Sequence, residues 1–76
     1  MAEIVPGVTA SAEVSFGKPV IAGTRVPVAV VLDHLGAGMP QDEVCREYDL
    51  TAEQVRAALR YAAWLAGQES LRVRAG

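Results

Sequence analysis

The chain has 76 residues, 51% of them hydrophobic, and its seven basic and nine acidic side chains leave a formal charge of −2. That length allows one small domain, for which folding hides only ~60% of the exposed surface and self-association is a natural source of further core. One cysteine excludes an internal disulfide, no apolar run nears the ~20 residues of a membrane span, and "MAEIVPGVTAS" lacks a secretion signal, so a cytoplasmic protein is expected.

In chain order, residues 1–12 read as an N-terminal segment. Residues 13–67 read as the domain, and residues 68–76 as a short tail. Within 13–27, Val, Ile and Phe are broken by Gly17, Pro19, Gly23 and Pro27, the texture of short strands joined by turns. From Val28 the period changes. Val28, Val31, Leu32 and Leu35 follow i, i+3, i+4, i+7 spacing and predict a helix, stopped by the glycines of "GAGMP". Pro40 suits the start of a second helix over Gln41–Tyr48, with Asp42 and Glu43 in its first turn and Val44, Cys45 and Tyr48 as its apolar stripe.

"TAEQ" is a capping-box pattern, so Thr51 and Gln54 should open the longest helix, from Ala52 to about Ala66. Val55, Leu59, Ala62, Ala63 and Ala66 are its expected core face, and Gly67 its end. Beyond it, the alternation Leu71-Arg72-Val73-Arg74 is a weak strand signal. A short helix, a tight turn and a longer helix make the outline of a helix-turn-helix, and the helix before them completes a three-helix unit of the kind that reads DNA. The fold class is therefore mainly α, preceded by a short N-terminal β element.

Catalysis finds little support. "GKPVIAGTR" has its lysine at the wrong end and its glycines one residue too far apart for a phosphate loop, while Pro19 and Pro27 remove backbone donors. It reads as a strand–turn–strand element in which Gly23 takes a positive φ and Lys18 and Arg25 are solvated. Cys45 lies on an apolar stripe, and His34 and Asp33, as helix neighbours, point about 100° apart. A lone Cys and a lone His make no metal site. No enzyme, metal or cofactor is expected.

Binding is the better reading. Residues 1–50 carry three basic and seven acidic side chains, and residues 51–76 carry four and two. Any nucleic-acid contact must therefore be local to the last third. Arg56, Arg60 and Trp64 recur every four residues as one ridge, with Thr51, Glu53 and Gln54 at the end where a recognition helix meets bases. Gln54 would read adenine, and Arg56 guanine or phosphate. The bland counterpart is a solvated face in which Glu53 pairs with Arg56 or Arg60. Tyr61, Trp64 and Leu65 widen the apolar surface beyond one core face, either as more core or as a partner interface.

"GKPVIAGTRVPVAVVLDHLGAGMPQDEV", followed by "LTAEQVRAALRYAA", resembles the small prokaryotic family called domain of unknown function 433, over roughly residues 14–66. The resemblance implies a homeodomain-like helix-turn-helix with a small N-terminal β element. It further implies a VapB-type antitoxin that binds and inhibits a PIN-like ribonuclease toxin and, as a homodimer, its own promoter. Thr51, Gln54, Arg56 and Arg60 would then meet DNA, with Lys18 and Arg25 adding backbone contacts. Two departures stand out: Pro40 replaces the usual Ser or Thr cap, and "YDLT" is one residue shorter than the family's turn. For Arg25, an ion pair with an acid such as Asp33 and a phosphate contact both stay open. So does the alternative of a protein-interaction module that never touches DNA.

Overall fold

The computed structural model describes residues 2–70; the Leu71–Arg74 alternation lies outside them. Three short strands form an antiparallel sheet in the order β1 (Ala2–Val5), β2 (Val8–Ala10) and β3 (Val20–Ile21). Three helices follow: α1 (Val28–Gly36), α2 (Gln41–Tyr48) and α3 (Ala52–Gln68).

Two of the three strands lie in residues 2–10, ahead of the expected β element at 13–27, which contributes only β3. Strands of two to four residues carry too little alternation to be read alone. Packing on α3 makes them. β1 and β2 pair with Glu3 opposite Thr9 and Val5 opposite Val8, through a bulge, and the tight turn between them is Pro6-Gly7. Gly7 has φ +89, and a Cβ there would sit 2.6 Å from the Ala57 Cβ, so the turn rests directly on α3. The Ala22 N–H donates to the Gly7 carbonyl at 2.9 Å and fastens the same turn to β3.

The Gly-Thr pair of "IAGTRV" has a structural use. Gly23 takes φ +79, as expected from a turn glycine. The Thr24 hydroxyl donates to the Ile21 carbonyl at 2.8 Å and accepts from the Val26 N–H at 3.0 Å, while the Ile21 N–H reaches the Val26 carbonyl at 3.0 Å. The Val28 N–H then donates to the Pro19 carbonyl, so the loop closes on itself as it enters α1.

Both short helices end on left-handed caps. Gly38 (φ +100) closes α1, with the Met39 N–H on the His34 carbonyl. Asp49 (φ 54) closes α2, and the Leu50 N–H reaches the Cys45 carbonyl at 2.8 Å, which turns Leu50 inward to 7% exposure. Pro40 is the N-cap of α2 with no side-chain bond, since proline offers none. His34 links α1 to α2: its Nδ1–H donates to the Val30 carbonyl, which leaves Nε2 to accept from the Tyr48 hydroxyl at 3.1 Å. α3 opens on the predicted capping box, with Thr51 Oγ1 accepting from the Gln54 N–H at 3.1 Å and Gln54 Oε1 from the Thr51 N–H at 2.8 Å.

The core is aliphatic and small: Val5, Val8, Ile21, Val28, Val31, Val44, Leu50 and Val55, with Ala57 and Ala58. On α3 the buried arc differs from the expected one. Val55 is buried as predicted, but Ala57 and Ala58 replace Leu59, Ala63 and Ala66, which are exposed, and Ala62 is half-buried. The sheet packs on one flank of α3 and the other two helices on another, and the sequence alone gives no sign of the sheet's flank. Gly67 does not end α3, which continues to Gln68; a glycine in a last turn costs only about 1 kcal/mol against alanine.

A candidate macromolecular interface on the third helix

The predicted recognition residues gather at the start of α3, but largely on one another. Glu53 grips both arginines of the ridge: Arg56 Nε donates to its Oε1 at 3.0 Å, and an Arg60 Nη to its Oε2 at 2.9 Å. The guanidinium of Arg60 also donates to the Pro6 carbonyl at 3.3 Å, tying α3 to the β1–β2 turn. Hydrogen bonds from Arg60 first, and Arg56 second, hold the Glu53 carboxyl below its ordinary value of 4.5. These pairs are exposed, so each contributes little to stability and each arginine is released readily.

Thr51 and Gln54 are engaged in the capping box, which fixes where their polar atoms point. Arg60 borders a shallow cleft of about 230 Å³ with Pro6, Gly7, Glu53 and Ala57. Arg25 borders a different concavity, formed with Thr9, Val20 and Thr24. Lys18 and Arg25 are solvent-exposed, and neither they nor Asp33 takes part in an ion pair among the described residues. The suggested Arg25–Asp33 pair is not formed.

The second half of α3 is different. All its fully buried residues lie in the first half, at Val55, Ala57 and Ala58. Tyr61 is half-buried against the core and lies 5.9 Å from the Trp64 ring, centroid to centroid. Trp64 and Leu65 are 42% and 43% exposed, and Leu59 44%. Of the three residues expected at a partner interface, Tyr61 is therefore shared with the core, while Trp64 and Leu65 face outward.

One exposed aromatic escaped the sequence reading. Phe16 stands 97% exposed on a single 3₁₀ turn, Ser15–Gly17. Ser15 (φ 49) and Phe16 (φ 57) both adopt the left-handed region, which costs roughly 1–2 kcal/mol per non-glycine residue. The available signal was an aromatic between serine and glycine with no apolar partner at strand or helix spacing.

Among the described residues, no three His, Cys, Asp or Glu side chains converge as metal ligands, and no helix is long and apolar enough to cross a membrane. No protein of curated function matches the chain. Among solved structures, the X-ray crystal structure of Rv2018 from Mycobacterium tuberculosis is similar, with a TM-score of 0.62 and 38% identity over 68% of this chain and 24% of that one. The chain thus spans about a quarter of that protein's length. Residues 8–62, which hold all three helix starts, β2, β3 and the Glu53 cluster, match the model described as "Protein of unknown function (DUF433)", and the chain belongs to that family.

Proposed function

We propose that the chain acts by binding macromolecules rather than by catalysis, as an antitoxin-type regulator that docks a partner protein on the second half of α3. The observation that carries this reading is the exposed Trp64 and Leu65 on a helix that outruns its own core. Tryptophan is a favoured interface anchor, because it buries much area at little cost in side-chain freedom. The resemblance to VapB-type antitoxins names the partner class, a PIN-like ribonuclease toxin. The test is co-expression with the product of the adjacent gene. A stable complex that silences a ribonuclease, and that Trp64→Ala disperses while the variant stays folded, is the expected result. A chain that emerges without that partner ends the toxin claim.

DNA binding is the second reading, favoured by the three-residue break Asp49–Thr51 that sets α3 behind α2, as in a homeodomain-like helix-turn-helix. On DNA, Arg56 and Arg60 would exchange Glu53 for phosphate oxygens, and a two-fold dimer would place its two readers ~34 Å apart on the chain's own promoter. Because Glu53 holds both guanidiniums and its carboxylate would repel phosphate, Glu53→Gln should tighten such binding. Affinity should also fall steeply with salt. Binding to upstream DNA that ignores both changes would exclude this surface.

A further inference from the structure

The β2–β3 pair has a second face. Thr9 lies opposite Val20 in the ladder, so their side chains share one face of the sheet, while Val8 and Ile21 turn to the other and join the core. Val20 is only 3% exposed, yet it is no member of the core cluster. The loop between β2 and β3 lies over it instead. Val14 of that loop, with Ser11, Thr9 and Val20, lines an open concavity of about 360 Å³.

The far wall is the Gly23–Arg25 turn. Its backbone is fixed on both sides of Arg25: the Thr24 N–H donates to the Ile21 carbonyl, and the Val26 N–H to the Thr24 hydroxyl. A rigid turn thus presents Arg25, whose guanidinium makes no ion pair or hydrogen bond among the described residues. The Thr9 hydroxyl has no partner among them either. The other two hydroxyls are engaged locally, Ser11 donating to the Glu13 carboxylate and Thr24 to the Ile21 carbonyl.

We infer that this concavity binds a small free carboxylic acid whose apolar body is about one ring in size. A lone guanidinium matches a single carboxylate, which it can hold through two parallel N–H bonds. The Thr9 hydroxyl supplies a further donor, and Val14 and Val20 take the apolar body. The volume agrees, since ~150 Å³ admits a benzene ring and ligand sites begin near ~300 Å³. No second cation lines the hollow, and Ser11 holds the Glu13 carboxylate beside it, so a dianion such as phosphate is disfavoured. A ligand there would touch β2, β3, the loop and the turn at once. The inference stands apart from the reading of α3 above.

Amide NMR of the full chain, titrated with sodium benzoate, tests it. Benzoate should shift the amides of residues 9–25 and saturate in the roughly millimolar range expected of so small a ligand. Benzyl alcohol, a ring without the charge, and inorganic phosphate, an oxyanion without the ring, should each bind at least roughly 10-fold more weakly. Arg25→Gln should weaken benzoate by a similar factor and Thr9→Val by a few-fold. Lys18→Gln, which removes an exposed cation outside the hollow, should change nothing. The spectra themselves check that the variants fold. No saturable shift, shifts gathered on α3 instead, or an Arg25→Gln variant that binds as before would each overturn the proposal. So would benzyl alcohol or phosphate binding as tightly as benzoate, or a loss in Lys18→Gln equal to that in Arg25→Gln.

Discussion

The two halves of α3 have similar lengths and opposite dependence on the rest of the molecule. The first half begins in a capping box, buries Val55, Ala57 and Ala58, and is clasped by the β1–β2 turn at Gly7 and Pro6. The second half, from Tyr61 to Gln68, touches the core only through its first residues and carries Trp64 and Leu65 into solvent. The contrast shows that one helix serves as scaffold over part of its length and as presented surface over the rest. Substitutions in the first half should be read in stability, and those in the second in binding.

Gly7→Ala should break the first half most severely. It puts a Cβ against Ala57 and forces a positive φ on a residue that avoids it, together costing about 2–4 kcal/mol. That is a large share of the stability of so small a domain, and urea unfolding reads it directly. The sharper version adds Ala57→Gly, which relieves the clash but not the φ. The double variant should lose less than the sum of the two, and strict additivity would show that the turn does not rest on α3.

Thr51→Ala removes one half of the capping box and should cost about 1 kcal/mol in the same measurement. The second half of α3 should fray with it only slightly, since no packing transmits the change. Trp64→Ala, the variant that tests partner docking, belongs at the bottom of this scale, within about 0.5 kcal/mol. A large loss of stability there would mean that Trp64 is part of the core.

The smallest expected effect is one of pH. Arg60 and Arg56 lower the Glu53 pKa in the folded chain below the ordinary 4.5. The stabilisation is therefore complete above pH 4.5 and lost as pH falls from there through the lowered folded value. Glu53→Gln should remove part of that acid dependence, its small loss of stability appearing above pH 4.5 and vanishing in acid. Glu13, lowered by its bond to Ser11, contributes in the same direction and stays in place as an internal reference.

The sequence by itself determined the helices. Periodicity, the Gly38 cap, Pro40 and the "TAEQ" box placed α1, α2 and the start of α3, because these signals act within four residues of where they stand. It also determined that "GKPVIAGTR" is a turn element, since the hydroxyl of Thr24 and the φ of Gly23 are local chemistry. Tertiary structure decided the rest. The sheet of residues 2–10 exists because α3 supports it, and its strands are too short to announce themselves. The buried arc of α3 turned toward Ala57 because that sheet claimed a flank, which released Leu59 and Ala63 to the surface. At their spacing Arg56 and Arg60 could already pair with Glu53, and only the folded chain also brought Arg60 within reach of the Pro6 carbonyl, fifty-four residues earlier in the chain. Contacts across such separations leave no mark in local pattern, because their energy appears only once the chain has closed.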